Sequence, residues 1–245
     1  MGGYDVHKLN RYKKLFVIIC VVLLSTITVS AKLLPIYSVF TDKKQVALTF
    51  DCAWGADDID EILETLDQHG VKATFFMVGD WMRKYPEATK KIAEKGHDVA
   101  SHSDKHPHVT EMGKEEIKKD IRFAHNTIKE ITGIDANLYR APYGEYNDTV
   151  VEAAKESGYY IIQWDVDSLD WKNYGKQEMI DCVLKHKNLS PGSIILLHNA
   201  TKYTKDALPT IIEGLKGKGY KLVPVSQLII KDNYTIDHTG RQYSN

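Results

Sequence analysis

An alternation along the chain most constrains its fold. Seven short apolar or β-rich runs, 46–50, 73–78, 98–101, 136–139, 159–164, 193–197 and 220–223, are separated by helical patterns. Ile59, Ile62, Leu63 and Leu66 share one helix face, as do Ile117, Ile121, Ala124 and Ile128. Val150, Val151 and Ala154 make a third face, Met179, Ile180, Val183 and Leu184 a fourth, and Leu208, Ile211, Ile212 and Leu215 a fifth. Ala88, Ile92 and Ala93 make a weaker one. Gly70, Gly96, Gly133, Gly158 and Gly219 follow these patterns as helix stops. Strands alternating with helices imply βα units around a parallel sheet. Runs with little polar alternation imply that both sheet faces are covered. Either a barrel one strand short of the usual eight or an open doubly wound sheet fits this pattern.

Around this core, residues 32–43 read as a linker and 44–231 as the folded domain. Residues 232–245 are polar and read as a loose tail. The N-terminus differs in kind. Lys8, Arg11, Lys13 and Lys14 lie in residues 1–14, and the run 15–31 carries no charge. A basic flank before an apolar run keeps the N-terminus inside and exports the chain beyond the run. The run is near the lower length limit for a membrane span. Val29-Ser30-Ala31 has the small-residue form of a signal-peptidase site. Residues 15–31 are therefore either a signal peptide or a single transmembrane anchor, and both place the remainder outside the cytoplasm. That remainder carries 28 basic and 32 acidic residues, so nothing points to nucleic acid. Of Cys20, Cys52 and Cys182, the first lies in the apolar run. The other two are too few for a disulfide framework, though a Cys52–Cys182 bridge stays open.

Chemistry gathers where the apolar runs end. Asp51 and Cys52 follow the first, and His102 and His106 the third. Arg140 and then Ala141-Pro142-Tyr143-Gly144 follow the fourth. Asp165, Asp167, Asp170 and Trp171 follow the fifth, and His198 the sixth. Strand ends are where a βα barrel builds its active site. His102 and His106 have the spacing of a metal pair, with Pro107 favouring a turn over a helix. A third ligand would come from Asp51 or Cys52. Arg140 beside Asp51 would form a charge-assisted pair, and Asp170 near His198 would fix that imidazole and raise its pKa. Asp165 reads as a solvated loop residue. Trp54, Trp164 and Trp171 suit either a core or stacking against sugar rings. His69, His97, His108, His125, His186 and His238 read as surface or structural.

These motifs, in this order, resemble the polysaccharide deacetylases with a NodB-type homology domain, carbohydrate esterase family 4. The matching stretches are Thr49-Phe50-Asp51-Cys52, His102-Ser103-Asp104-Lys105-His106, Arg140-Ala141-Pro142-Tyr143-Gly144, Asp167-Ser168-Leu169-Asp170-Trp171 and Leu196-Leu197-His198. The single-pass N-terminus and compact domain look most like the sporulation-associated branch. The resemblance implies a distorted barrel of seven βα units. It also implies metal-assisted hydrolysis of the N-acetyl group of amino sugars in a cell-wall glycan, peptidoglycan or a chitin-like polymer. The sequence does not give the oligomeric state, and a monomer is the expectation. In this resemblance Asp51 is the base, His198 the acid, and His102 and His106 metal ligands. Arg140 and Asp170 orient the base and the acid. Tyr143 supplies an oxyanion-binding N–H, and Trp171, Leu196 and Pro142 contact substrate.

One position departs from the pattern. The family's first motif has a second aspartate as third metal ligand, and here that residue is Cys52. A thiolate prefers zinc to magnesium, calcium or manganese. Either Cys52 completes a zinc site, or the site holds metal poorly, with Asp51, Asp57 or Asp58 substituting through water. The second case opens another reading, a catalytically weak glycan-binding pseudoenzyme. A small-molecule amidase on the same scaffold is a third reading, which export argues against.

Overall fold

The strand that ends in Asp51 and Cys52 is the centre of the molecule. In the computed structural model, which describes residues 32–245, β2 (Gln45–Cys52) is buried along all but its first residue. Its neighbours are β3 (Thr74–Met77) and β8 (Ile194–His198). Beyond β3 lie β4 (Asp98–Ser101), β5 (Leu138–Tyr139) and β6 (Tyr160–Ile161). Beyond β8 lies β7 (Val166–Asp167), and β9 (Lys221–Leu222) pairs with the start of β2. Every pairing in this sheet is parallel.

Helices pack outside the curled sheet. They are α1 (Ile59–Gln68), α2 (Gly79–Lys84), α3 (Pro86–Glu94), α4 (Lys114–Thr132), α5 (Asp148–Glu156), α6 (Lys176–Leu184), α7 (Thr204–Gly217) and the single turn α8 (Val225–Leu228). The apolar stripes named above are the buried faces of α1, α4, α5, α6 and α7, with Leu184 half-buried. In the weaker stripe only Ile92 is fully buried.

Pleating divides the strand side chains between two cores. Val46, Leu48, Phe50 and Cys52 point outward into the large core under the helices, where Phe50 stacks on Phe75 at 4.9 Å. Ala47, Phe76, Ala100 and Ile194 point inward, into a smaller core. Thr49 and Asp51 continue that inward row toward the C-terminal rim, so the rim chemistry stands on a packed floor.

The sheet is a curled half-barrel, and its outer strands β6 and β7 do not pair. The expected run 159–164 is cut short, with β6 ending at Ile161 and one bridge at Ile162, and β7 begins only after it, at Val166. The expected linker fills the seam. Ile36 bridges Ile162, β1 (Ser38–Val39) comes next, and Val39 N–H donates to Gly192 O at 2.9 Å. Ile36 and Val39 are buried, which explains why this segment is ordered against the sheet. The expected loose tail is likewise structured. β10 (Tyr234–Ile236) and β11 (Arg241–Ser244) form a hairpin, and β11 pairs with β1. Buried Gln242 exchanges hydrogen bonds with both backbone groups of Ile230, at 2.8 and 2.6 Å. Cys52 and Cys182 are free thiols, so the bridge between them is not formed. Among the described residues no helix is long and apolar enough to cross a membrane, and the run 15–31 lies outside them.

Candidate active site

Asp51 projects from the end of β2 into the rim and is almost wholly buried. Arg140, at 0% exposure, comes from the end of β5. Its Nη1 donates to Asp51 Oδ1 at 2.6 Å and to Thr49 Oγ1 at 2.9 Å, and its Nη2 donates to Gln163 O at 3.2 Å. The guanidinium lies over the Phe76 ring at 4.0 Å. Thr49, the first residue of the quoted Thr49–Cys52 motif, and Gln163, which no sequence signal marks, complete this hold. Burial pushes the Asp51 carboxyl up, but Arg140, with His102 and His198, outweighs it and keeps Asp51 below the usual carboxylate range.

Across the rim, Asp51 and His198 are register partners on β2 and β8. His198 Nδ1 donates to Asp170 Oδ1 at 2.7 Å, and its backbone N–H donates to Asp170 Oδ2 at 2.6 Å. Thr204, at the start of α7, donates to the same Oδ2 at 2.8 Å, and Trp171 N–H donates to Oδ1 at 2.8 Å. Each Asp170 oxygen thus accepts two hydrogen bonds. Burial disfavours charge on His198, but Asp170 outweighs it and sets the ring's pKa above the ordinary value. With Nδ1 committed to Asp170, Nε2 is the nitrogen left for chemistry.

His102 and His106 do come together, with ring centroids 4.9 Å apart. His102 Nδ1 donates to Arg140 O at 2.8 Å, since a carbonyl only accepts. Its Nε2 then carries a lone pair and faces Asp51 Oδ2 at 3.6 Å. Burial lowers the His102 pKa below the ordinary imidazole value, and burial together with His102 lowers His106 to about 4. His106 adopts φ 56°, and its N–H donates to Ser103 Oγ at 2.8 Å.

Cys52 does not join them. It is the next residue on a strand that runs straight through it, so it faces away from Asp51 into the core with Phe50 and Leu48. Burial, followed by Asp51 and Asp58, pushes its thiol well above the ordinary value. A buried, protonated thiol on the opposite face is no metal ligand. Asp58 does not line the cavity, and its Oδ2 accepts from Ala200 N–H at 2.8 Å in the loop after β8. Among the described residues no three His, Cys, Asp or Glu side chains are grouped to hold a metal. The donor set therefore does not fit the expected three-ligand centre.

These groups surround a cavity of about 300 Å³ lined by Asp51, His102, His106, Tyr143, Trp164, Trp171, Leu196 and His198, with Asp167, Trp54, Ala53 and Gly144. Trp54 and Trp171 are 62% and 53% exposed at its mouth. Trp164 is a cavity wall, and a Cβ on Gly144 would lie 2.9 Å from its ring. Gly144 also holds φ 68°, so glycine is required there on both counts. Pro142 is buried and does not line the cavity, unlike the expected substrate contact. Arg140 and Asp170 lie behind it, each touching a lining residue. Asp165 is not a solvated loop residue. Its carboxylate accepts from Ile194 N–H and Ser193 Oγ, both at 3.0 Å, and ties the entry to β7 to the start of β8, at the end of the strands away from the rim. An adjoining groove of about 670 Å³ shares Trp54, Trp171 and His198 with the cavity and extends past Asn173, Thr201 and Lys202.

Comparison with known proteins gives consistent matches. The chain matches the polysaccharide deacetylase family over residues 39–162. It is 35% identical over 191 residues to a peptidoglycan-N-acetylglucosamine deacetylase of Bacillus cereus, covering 76% of this chain and 69% of that one. It is 31% identical over 195 residues to the peptidoglycan-N-acetylmuramic acid deacetylase PdaA of Bacillus subtilis, covering 78% and 73%. A crystal structure of a carbohydrate esterase family 4 pseudoenzyme from Bacillus anthracis has a TM-score of 0.76 at 31% identity, over 86% of this chain and 73% of that chain. A mutant of that pseudoenzyme with restored enzymatic activity has a TM-score of 0.76 at 35% identity, over 79% and 70%.

Proposed function

Because the chain belongs to the polysaccharide deacetylase family, we propose that it hydrolyses the N-acetyl group of amino sugars in a cell-wall glycan such as peptidoglycan. The observation that carries this reading is the pairing of Asp51 with His198. The two are register partners facing one cavity. One is held below the usual carboxylate range by Arg140, and the other above the usual histidine range by Asp170. Two titratable groups pushed apart in this way mark a base and an acid.

The chemistry is set by the residues present. Asp51 Oδ2 and His102 Nε2 are 3.6 Å apart, so a water on the cavity side can bridge them, donating a proton to each. Asp51 takes the proton as the water oxygen bonds to the acetyl carbon. The developing oxyanion is received by the Tyr143 backbone N–H. His198 Nε2 then gives its proton to the sugar nitrogen as the C–N bond breaks, leaving acetate and a free amine. Leu196 and Trp171 wall the acetyl end of the cavity, and Trp54 and Trp171 carry the neighbouring sugars along the groove. No step runs through a metal, since Cys52 faces the core.

The wall substrate agrees with the basic flank and apolar run of residues 1–31, which we take to export residues 32–245, either anchored or cleaved after Ala31. Cys52 favours a second reading: a glycan-binding protein with weak or no turnover. Acetate release by the purified chain from N-acetylglucosamine oligomers and from peptidoglycan, with and without chelator, separates the two. Release that survives chelation supports the first reading. Saturable binding without release supports the second and overturns the first.

A further inference from the structure

One lip of the cavity is a series of ring contacts that ends outside it. Trp54 meets His106 edge-on at 5.8 Å, His106 meets Tyr143 edge-on at 4.5 Å, and Tyr143 lies flat on His108 at 4.3 Å and 13°. Tyr143 is 55% exposed and holds φ 59°, a conformation that favours glycine. Burial does not lock it there, so other contacts must.

Those contacts come from residues that do not line the cavity. His108 Nδ1 donates to Glu145 Oε1 at 3.0 Å, and the Thr110 hydroxyl donates to Glu145 Oε2 at 3.1 Å. Glu145 N–H donates back to Pro142 O at 3.1 Å, closing the turn that contains Tyr143. Asn147 Nδ2 donates to Thr110 O at 3.4 Å while its Oδ1 caps α5 through Val150 N–H at 3.0 Å. Residues 108–110 and 142–147 are thereby clipped together, with Tyr143 held between a flat ring on one side and His106 on the other.

We propose that His108 is a positioning residue whose ring, stacked flat on Tyr143, holds the Tyr143 backbone in its left-handed conformation and so aims its N–H at the reacting carbonyl oxygen. This rests on the functional reading above, in which that N–H receives the oxyanion. A donor displaced from its aim weakens transition-state binding more than ground-state binding. The clip therefore acts on kcat and leaves KM nearly alone.

The test uses the full chain as wild type, His108→Ala and His108→Phe, the last keeping a flat ring against Tyr143. Acetate release from N-acetylglucosamine oligomers should show kcat about tenfold lower in His108→Ala, with KM within about twofold. His108→Phe should return kcat to within about twofold of wild type. Amide hydrogen exchange at residues 143–146 should quicken in His108→Ala and slow again in His108→Phe. Unchanged kcat and exchange in His108→Ala would overturn the proposal, as would failure of His108→Phe to restore either. If wild type releases no acetate, the functional reading fails alone. Exchange in the same proteins then decides the clip, unaltered exchange in His108→Ala counting against it.

Discussion

Among single residues, the proposed function assigns the pH dependence of turnover to Asp51 and His198. Asp51 must be ionised, and its pKa lies below the ordinary value, so activity is lost only as pH falls through that lowered value. His198 must be protonated, and its pKa is raised, so activity is lost as pH rises through a value above that of a free histidine. Asp170→Asn removes the charge that raises it, so the alkaline limb of kcat/KM should move to lower pH while the acid limb stays. An unmoved alkaline limb would separate Asp170 from His198 chemistry. Both positions are legible in sequence because a polar residue ending an apolar run sits at the rim, while the roles of base and acid come from the resemblance. Cys52 is not, for a definable reason. With the strand read as ending at Phe50, Asp51 and Cys52 are both free to face the site. The strand in fact runs to Cys52, and alternation sends neighbours to opposite faces. In the native chain, alkylation should therefore spare Cys52 equally with zinc and with chelator, and should reach it only after unfolding. Chelator-dependent alkylation would restore the thiolate site.

Among the elements, helix faces are legible because α1, α4, α5, α6 and α7 bury the apolar stripes that the periodicity marks. The seam and the hairpin are not. β1 and β11 are short, polar on one side, and stabilised by partners roughly two hundred residues apart in sequence, such as Ser38 with Arg241. Asp165 is a similar case, tying the β7 turn to β8 through Ser193 and Ile194. Burial raises its carboxyl to about 7. An acid whose folded pKa exceeds its unfolded value contributes stability that is fully present below about pH 4 and lost as pH rises through about 7. His97 has the opposite sign, since burial lowers it to about 4 and its contribution is lost as pH falls through that value. The two overlap in a wild-type melting curve, so the difference from a variant is the informative quantity. Between about pH 4 and 7, Asp165→Asn should lose less thermal stability than wild type as pH rises. Parallel curves would show that Asp165 is not protonated in the fold.

Taken whole, the molecule is a parallel half-barrel that places the ends of β2, β4, β5, β7 and β8 at one rim, where residues far apart in sequence meet over about 300 Å³. The βα alternation announces that arrangement, while the gap between β6 and β7 depends on packing by Ile36 and Val39 that no periodicity encodes. The rim keeps Asp51, His198 and their buried partners but turns the expected third metal ligand into the core. Deacetylation of a wall glycan by such a rim rests on Asp51 and His198. The most direct measurement is acetate release from N-acetylglucosamine oligomers by wild type and Asp51→Asn, with oligomer binding and melting temperature followed on the same samples. The expected result is release by wild type and a loss of at least ~10²-fold in kcat for Asp51→Asn, with binding retained. Near wild-type release by Asp51→Asn, or binding by wild type with no release at all, would contradict it.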